Sequence, residues 1–163
     1  MTTGVQWSLP ALSFPRVGVP SFLRRFSLTS TVAVESSIDI WSERGLPAWV
    51  YSIIEQFEPI LSLKAGWTEG KGRPVTSEAF QASLRVLEET MARDTIAPSL
   101  VPTSDGGLQL EWHCAGVDLE VYVEYDGRVS AWCREGGREW EEDSYPRARL
   151  TKELSLLSEN FCR

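Results

Sequence analysis

Two runs of alternating residues near the middle of the chain leave it little choice of fold. Leu108, Leu110 and Trp112 alternate with Gln109, Glu111 and His113, and Leu119, Val121, Val123 and Tyr125 alternate with Asp118, Glu120, Tyr122 and Glu124. A period of two places one set on each side of a strand, apolar on one face and polar on the other. Ala115-Gly116 separates the runs. Asp126-Gly127 then predicts a hairpin with a type I′ turn, and Arg128 to Arg134 supplies a third strand, with Val129, Ala131 and Cys133 on the apolar side. Gly136-Gly137 allows a further hairpin into 138–142. The expected element is an antiparallel meander of three or four strands.

Helical spacing flanks this meander. From Leu46 to Leu63, Trp49, Ile53, Phe57, Ile60 and Leu61 fall close to one stripe, with Pro47 suited to the first position and Pro59 set to kink or end the helix. The stretch A-G-W-T-E-G-K-G-R-P-V, 65–75, reads as a loop. It is no phosphate loop, because Lys71 is followed by Gly72 rather than by a hydroxyl residue and a helix. Thr76 has the character of an N-cap, with Glu78 in the first turn and Phe80, Leu84, Leu87 and Met91 as the buried stripe. Pro98 and Pro102 mark a connector, and Leu150, Leu154, Leu157 and Phe161 predict a last helix over 150–161. The expected fold class is α+β, with the meander packed on two or three helices.

Charge divides the chain of 163 residues unevenly. The first 34 residues hold Arg16, Arg24 and Arg25 and no acid, so with a total of −7 the remainder carries −7 − 3 = −10. Pro10, Pro15 and Pro20 break any regular period there, and 1–34 is expected to be an extended arm ahead of a single acidic α+β domain over 35–163. Its aromatic residues are too many for a solvating tail, so Trp7, Phe14 and Phe22 are expected to lie against the body or a second chain. An acidic body repels phosphate, which disfavours direct nucleic-acid binding and leaves mimicry of nucleic acid as the alternative. No apolar run reaches the length of a membrane span and no signal-peptide order opens the chain. Three cysteines, Cys114, Cys133 and Cys162, without paired spacing favour reduced thiols and a cytoplasmic setting.

The chemistry-bearing residues support binding better than catalysis. Glu111, Asp118, Glu120 and Glu124 share a face, as the carboxylates of a hydrolase would, yet any solvated antiparallel sheet shows the same alternation. His113, the only histidine, has no nucleophile motif beside it, and Cys114 next to it lacks the spacing of a zinc site. No lysine falls in the meander, as a metal-dependent nuclease would require. No catalytic residue, metal ligand or cofactor is therefore assigned. W-C-R-E-G-G-R-E-W-E-E-D, 132–143, instead sets tryptophans among charges, the composition of an interface. The expected contact surface is Trp132, Glu135, Glu139, Trp140, Glu141, Glu142 and Asp143, with Trp7, Phe14 and Phe22 of the arm as a second.

The loop 65–75, the helix after it, P-T-S-D-G-G-L-Q-L-E-W and D-L-E-V-Y-V-E-Y-D-G-R together resemble a group of small bacterial proteins. Members of that group share a W-D-G-x-G-x-x-P loop and a D-G-G-[IVL]-x-L-E-W strand. The resemblance covers 64–130, is most specific at D-G-G-L-Q-L-E-W, and departs at Thr68-Glu69, where the group has Asp directly after the tryptophan. It implies an α+β domain of prokaryotic or phage origin and brings no activity with it. The expected function is a non-enzymatic protein-binding module acting as an inhibitor, antitoxin or immunity-type partner. Its partner would be another protein, such as a toxin or defence component, or a second copy of the chain. A hydrolase using Glu111, His113 and Glu120 is the alternative from a different class.

Overall fold

The computed structural model of the protein describes residues 3–9, 36–42 and 46–157, which fall into two compact units, Met1–Pro47 and Ala48–Arg163. In the first unit β1 (Thr3–Leu9) pairs antiparallel with β2 (Ser36–Ser42), Trp7 standing opposite Ile38 in the register. The expectation for 1–34 is an extended arm without a long regular element. A seven-residue strand opens it, and its partner strand lies beyond residue 34, so the expected boundary at 34/35 falls inside one unit. Proline spacing cannot reveal a strand that ends before Pro10.

The second unit is α+β. Its elements are α1 (Ala48–Leu61), α2 (Ser77–Thr90), β3 (Ser99–Pro102), β4 (Leu108–Cys114), β5 (Val117–Val123), β6 (Val129–Glu135), β7 (Arg138–Glu142) and α3 (Arg147–Leu156). β3 to β7 form one antiparallel sheet in sequence order, a meander of five strands rather than three or four. The added strand is β3, in the segment whose prolines, Pro98 and Pro102, suggest a connector. Proline lacks a ladder donor but is tolerated at an edge, and here it ends an edge strand of four residues.

The outer margin of β3 is closed by a side chain. Gln56 of α1 donates from Nε2 to the Pro98 carbonyl at 2.9 Å and accepts the Leu100 N–H on Oε1 at 2.8 Å, so one amide replaces a missing strand neighbour.

One side of the sheet is the core. Leu100, Leu108, Leu110, Trp112, Leu119, Val121, Val123, Ala131 and Cys133 are buried there with Trp49, Val50, Ile53 and Phe57 of α1, Phe80, Val86 and Leu87 of α2, and Leu150 and Leu154 of α3. Phe57 and Phe80 meet edge to face at 4.8 Å between centroids. The indole N–H groups of Trp49 and Trp112 donate to the carbonyls of Ala92 and Ile96, each at 2.9 Å. The α1 stripe is as expected, and the last turn after Pro59 tightens through Ser62 and Leu63 donating to the Pro59 and Ile60 carbonyls before the chain leaves the helix.

The α2 stripe is shifted. Of the expected stripe Phe80, Leu87 and the C-cap Met91 are buried and Leu84 is only half-buried, while Ala79, Ser83, Val86 and Thr90 are buried as well. Ser83 and Thr90 are polar residues, but they return their hydroxyls to the Ala79 and Val86 carbonyls at 2.8 and 2.7 Å. α3 begins earlier than expected, at Arg147, and buries Leu150 and Leu154, with Leu157 buried just beyond it; Phe161 lies outside the described residues.

The hairpin turns sort themselves by backbone handedness. Ala115 and Gly116 both have positive φ, 52° and 77°, as do Gly136 and Gly137, 52° and 83°, so the two-residue links are the ones that match type I′. At Asp126-Gly127 only Gly127 is left-handed, at 82°, and Val123 pairs with Val129 across a five-residue connection. The expected type I′ turn there is replaced by a longer loop, which leaves Tyr125 out of the apolar row and 45% exposed.

Candidate functional site

Register decides which side chains share the side of the sheet away from the helices. Ser99, Glu111, Glu120, Trp132 and Glu141 form one row across all five strands, and His113, Asp118, Arg134 and Glu139 form the next across β4 to β7. Gln109, Tyr122 and Ser130 lie in the row on the other side. With strands about 4.8 Å apart, the charged rows extend roughly 15 to 20 Å.

These groups are wired to one another. Asp118 accepts from His113 Nδ1 at 2.9 Å on one oxygen and from Arg134 Nη2 at 2.7 Å on the other, and His113 Nε2 stands 3.4 Å from Glu111 Oε2. The hydrogen bond from His113, then that from Arg134, holds the Asp118 carboxyl below its ordinary range. In return the bond to Asp118 holds His113 above its ordinary value, against some desolvation and with help from Glu111.

Glu120 accepts from Gln109 Nε2 at 2.9 Å and from the Tyr122 hydroxyl, and the hydrogen bond to that carboxylate pushes the Tyr122 phenol up to about 12. The Trp132 indole donates to Glu139 at 2.7 Å, and the Arg134 guanidinium stands 5.5 Å from its ring centroid.

The expected contact surface divides between the two faces. Trp132, Glu139 and Glu141 belong to the open face. Glu135, Trp140 and Glu142 pair with Arg138, Cys133 and Ala131 and so lie on the helix side. There Arg149 of α3 stacks 4.2 Å from the Trp140 centroid and bonds Glu142 at 2.7 Å, so Trp140 and Glu142 close the rim of the core. Asp143 is exposed in the bend after β7. Trp7 lies in β1, and Phe14 and Phe22 lie outside the described residues.

The open face also recruits Gln109, Tyr122 and Arg134, which no motif in the sequence singles out. The signal that finds them is register: counting from the Ala115-Gly116 and Gly136-Gly137 turns sets them opposite or beside the acids.

The two segments that carry the bacterial resemblance meet at one end of the sheet. Gly66 N–H donates to the Gly72 carbonyl at 2.7 Å and the Trp67 indole to Arg73 at 2.9 Å, closing the loop on itself. Arg73 and Thr76 then donate backbone N–H to Ser104 and Gly106 at 2.9 and 3.0 Å. A Cβ on Gly107 would stand 2.5 Å from the Val123 carbonyl oxygen, so this approach requires glycine. The motif is thus a backbone clasp.

Cys133 is a free, buried thiol whose ionisation burial pushes up to about 11, and Cys162 lies outside the described residues. Among the described residues no group of three His, Cys, Asp or Glu is arranged to hold a metal ion, and no helix is long and apolar enough to cross a membrane. No family model, curated protein or solved structure matches the chain.

Proposed function

We propose that the protein is a non-enzymatic protein-binding module of prokaryotic or phage origin, and that it engages a basic surface of its partner with the open face of the five-stranded sheet. One observation carries the reading: Glu111 stands directly opposite Glu120 in the register, and Trp132 directly opposite Glu141. Like charges at opposed positions destabilise an isolated sheet. Lysine or threonine there would solvate it without repulsion, and the chain's three lysines, Lys64, Lys71 and Lys152, all lie off the sheet strands. A cationic partner removes the repulsion, and Trp132 supplies an aromatic anchor inside the charged field. Inhibitor, antitoxin or immunity-type action is the finer form of this reading, and it fits an acidic body that must occupy a basic surface. Catalysis is the weaker reading because Glu120 and Asp118 each already accept two side-chain donors.

The test separates local from global charge. Glu111, Glu120 and Glu141 changed together to Gln take the chain from −7 to −4, and so do Glu55, Glu58 and Glu69, which are exposed on α1 and the glycine loop. The first triple variant is expected to lose association with the cellular partner and the second to keep it. Equal loss in both would reduce the effect to net charge, and no loss in the first would overturn the assignment of the face.

A further inference from the structure

We infer that His113 is a pH-dependent counter-ion of the open face, so that a cationic partner binds more tightly when His113 is neutral; this rests on the reading of that face given above. The imidazole sits among three charged groups from three strands. Glu111 of its own strand is 3.4 Å from Nε2, Asp118 of β5 is 2.9 Å from Nδ1, and Arg134 of β6 shares Asp118 from the other side at 2.7 Å. Glu120 stands in the neighbouring row on β5, Glu139 of β7 pairs with Arg134, and Ser99 of β3, opposite Glu111, carries no charge.

With its proton, His113 answers the carboxylates that a lysine or arginine of the partner would otherwise meet. Without it, Glu111 and Asp118 present their charge outward. Half of the His113 side chain is exposed, so the ring exchanges its proton with solvent while the face is free. The bond to Asp118 raises its pKa above the ordinary histidine value, so the proton is given up only as pH rises past that value.

Reciprocity makes the inference measurable. If deprotonation favours the cation, the bound cation must lower the pKa of His113 by the same coupling, and a tenfold difference in affinity between the two protonation states moves the titration midpoint by about one pH unit. His113 is the only histidine, so its ring proton signals need no assignment by mutation.

The full chain is titrated by NMR from pH 5.5 to 9 with and without a saturating dodecalysine peptide at low salt, and the peptide affinity is measured at pH 6.0 and 8.5 for the parent and His113→Gln. The phenol of Tyr122, at about 12, and the thiol of Cys133, at about 11, titrate outside this window.

A fall in the His113 pKa on binding is expected. Affinity should be several-fold tighter at pH 8.5, and that gain should be lost in His113→Gln. A bound peptide that leaves the His113 pKa unmoved, or an equal pH dependence in the variant, overturns the switch and leaves the binding face standing. No peptide binding at either pH overturns the reading of the face, and the switch with it.

Discussion

Replacing Thr76 by valine removes one oxygen and leaves the side-chain shape nearly unchanged, yet three structural elements depend on that residue. Thr76 Oγ1 accepts the Ala79 N–H at 3.1 Å as the N-cap of α2 and donates to the Tyr125 carbonyl in the β5–β6 loop at 2.6 Å, while its backbone N–H donates to the Gly106 carbonyl ahead of β4. Loss of an N-cap costs about 1 kcal/mol. Loss of the hydroxyl-to-carbonyl bond adds about 0.5 to 1 kcal/mol, at the lower end because water reaches the turn. The expected total of about 1.5 to 2 kcal/mol corresponds to a fall in Tm of roughly 6 to 8 °C for a unit the size of Ala48–Arg163. Thr76→Ser keeps both bonds and is expected to lose less than a third of that. Thermal unfolding followed by circular dichroism for the three chains decides it. Valine and serine variants melting together, or a valine variant as stable as the parent, would refute the argument that the hydroxyl joins α2 to the meander.

Gln56→Leu keeps bulk on α1 but leaves Leu100 N–H and the Pro98 carbonyl without their side-chain partner, so a loss of about 1 to 3 kcal/mol and faster amide exchange at Leu100 are expected, measured by denaturant melts and hydrogen exchange. Cys133, buried and with its thiol pushed up to about 11, should stay unmodified by a neutral-pH thiol reagent in the folded protein and react once denaturant is added, as mass spectrometry would show. His113 has a raised pKa and Asp118 a lowered one. The stability of their pair is therefore present above the ordinary carboxylate range, full below the ordinary histidine value, and lost as pH rises through the His113 titration. Melts of the parent and His113→Gln should accordingly differ most between the ordinary carboxylate and histidine values and converge as pH rises past the raised His113 titration, by a small margin because the groups are solvent-accessible.

The periodic residues of the second unit are readable in the sequence because burial enforces them. Leu108 to Trp112 and Leu119 to Val123 cannot shift by one residue without turning the core outward, and the Thr76 cap follows from its own chemistry. β3 escapes such a reading because three residues between two prolines carry no period, and the closure of its edge depends on Gln56, forty-two residues before Pro98. Spacing alone puts Leu84 in the core, whereas Ser83 and Thr90 enter it by satisfying their hydroxyls within α2.

Nearness in sequence misleads for the contact surface. A strand sends neighbours to opposite faces, so Trp132 and Trp140 part company as soon as the Gly136-Gly137 turn fixes Cys133 opposite Trp140. The sequence of the first 34 residues shows no sustained period, and the pairing of 3–9 with 36–42 is a contact between distant segments that no local pattern announces.

Chemical-shift mapping with the cationic peptide tests the central claim most directly, because the open face and the helix side alternate residue by residue along the same strands. Backbone amides do not separate the faces cleanly, so the side-chain signals are followed. These are the indole N–H of Trp132 on the open face, that of Trp140 beside Arg149, and that of Trp67 in the clasp. Trp132 and the ring of His113 are expected to move with peptide while Trp140 and Trp67 hold still, and the response is expected to fade as salt is raised. Movement of Trp140 or Trp67 with Trp132 unchanged would place binding elsewhere and contradict the assignment of the open face.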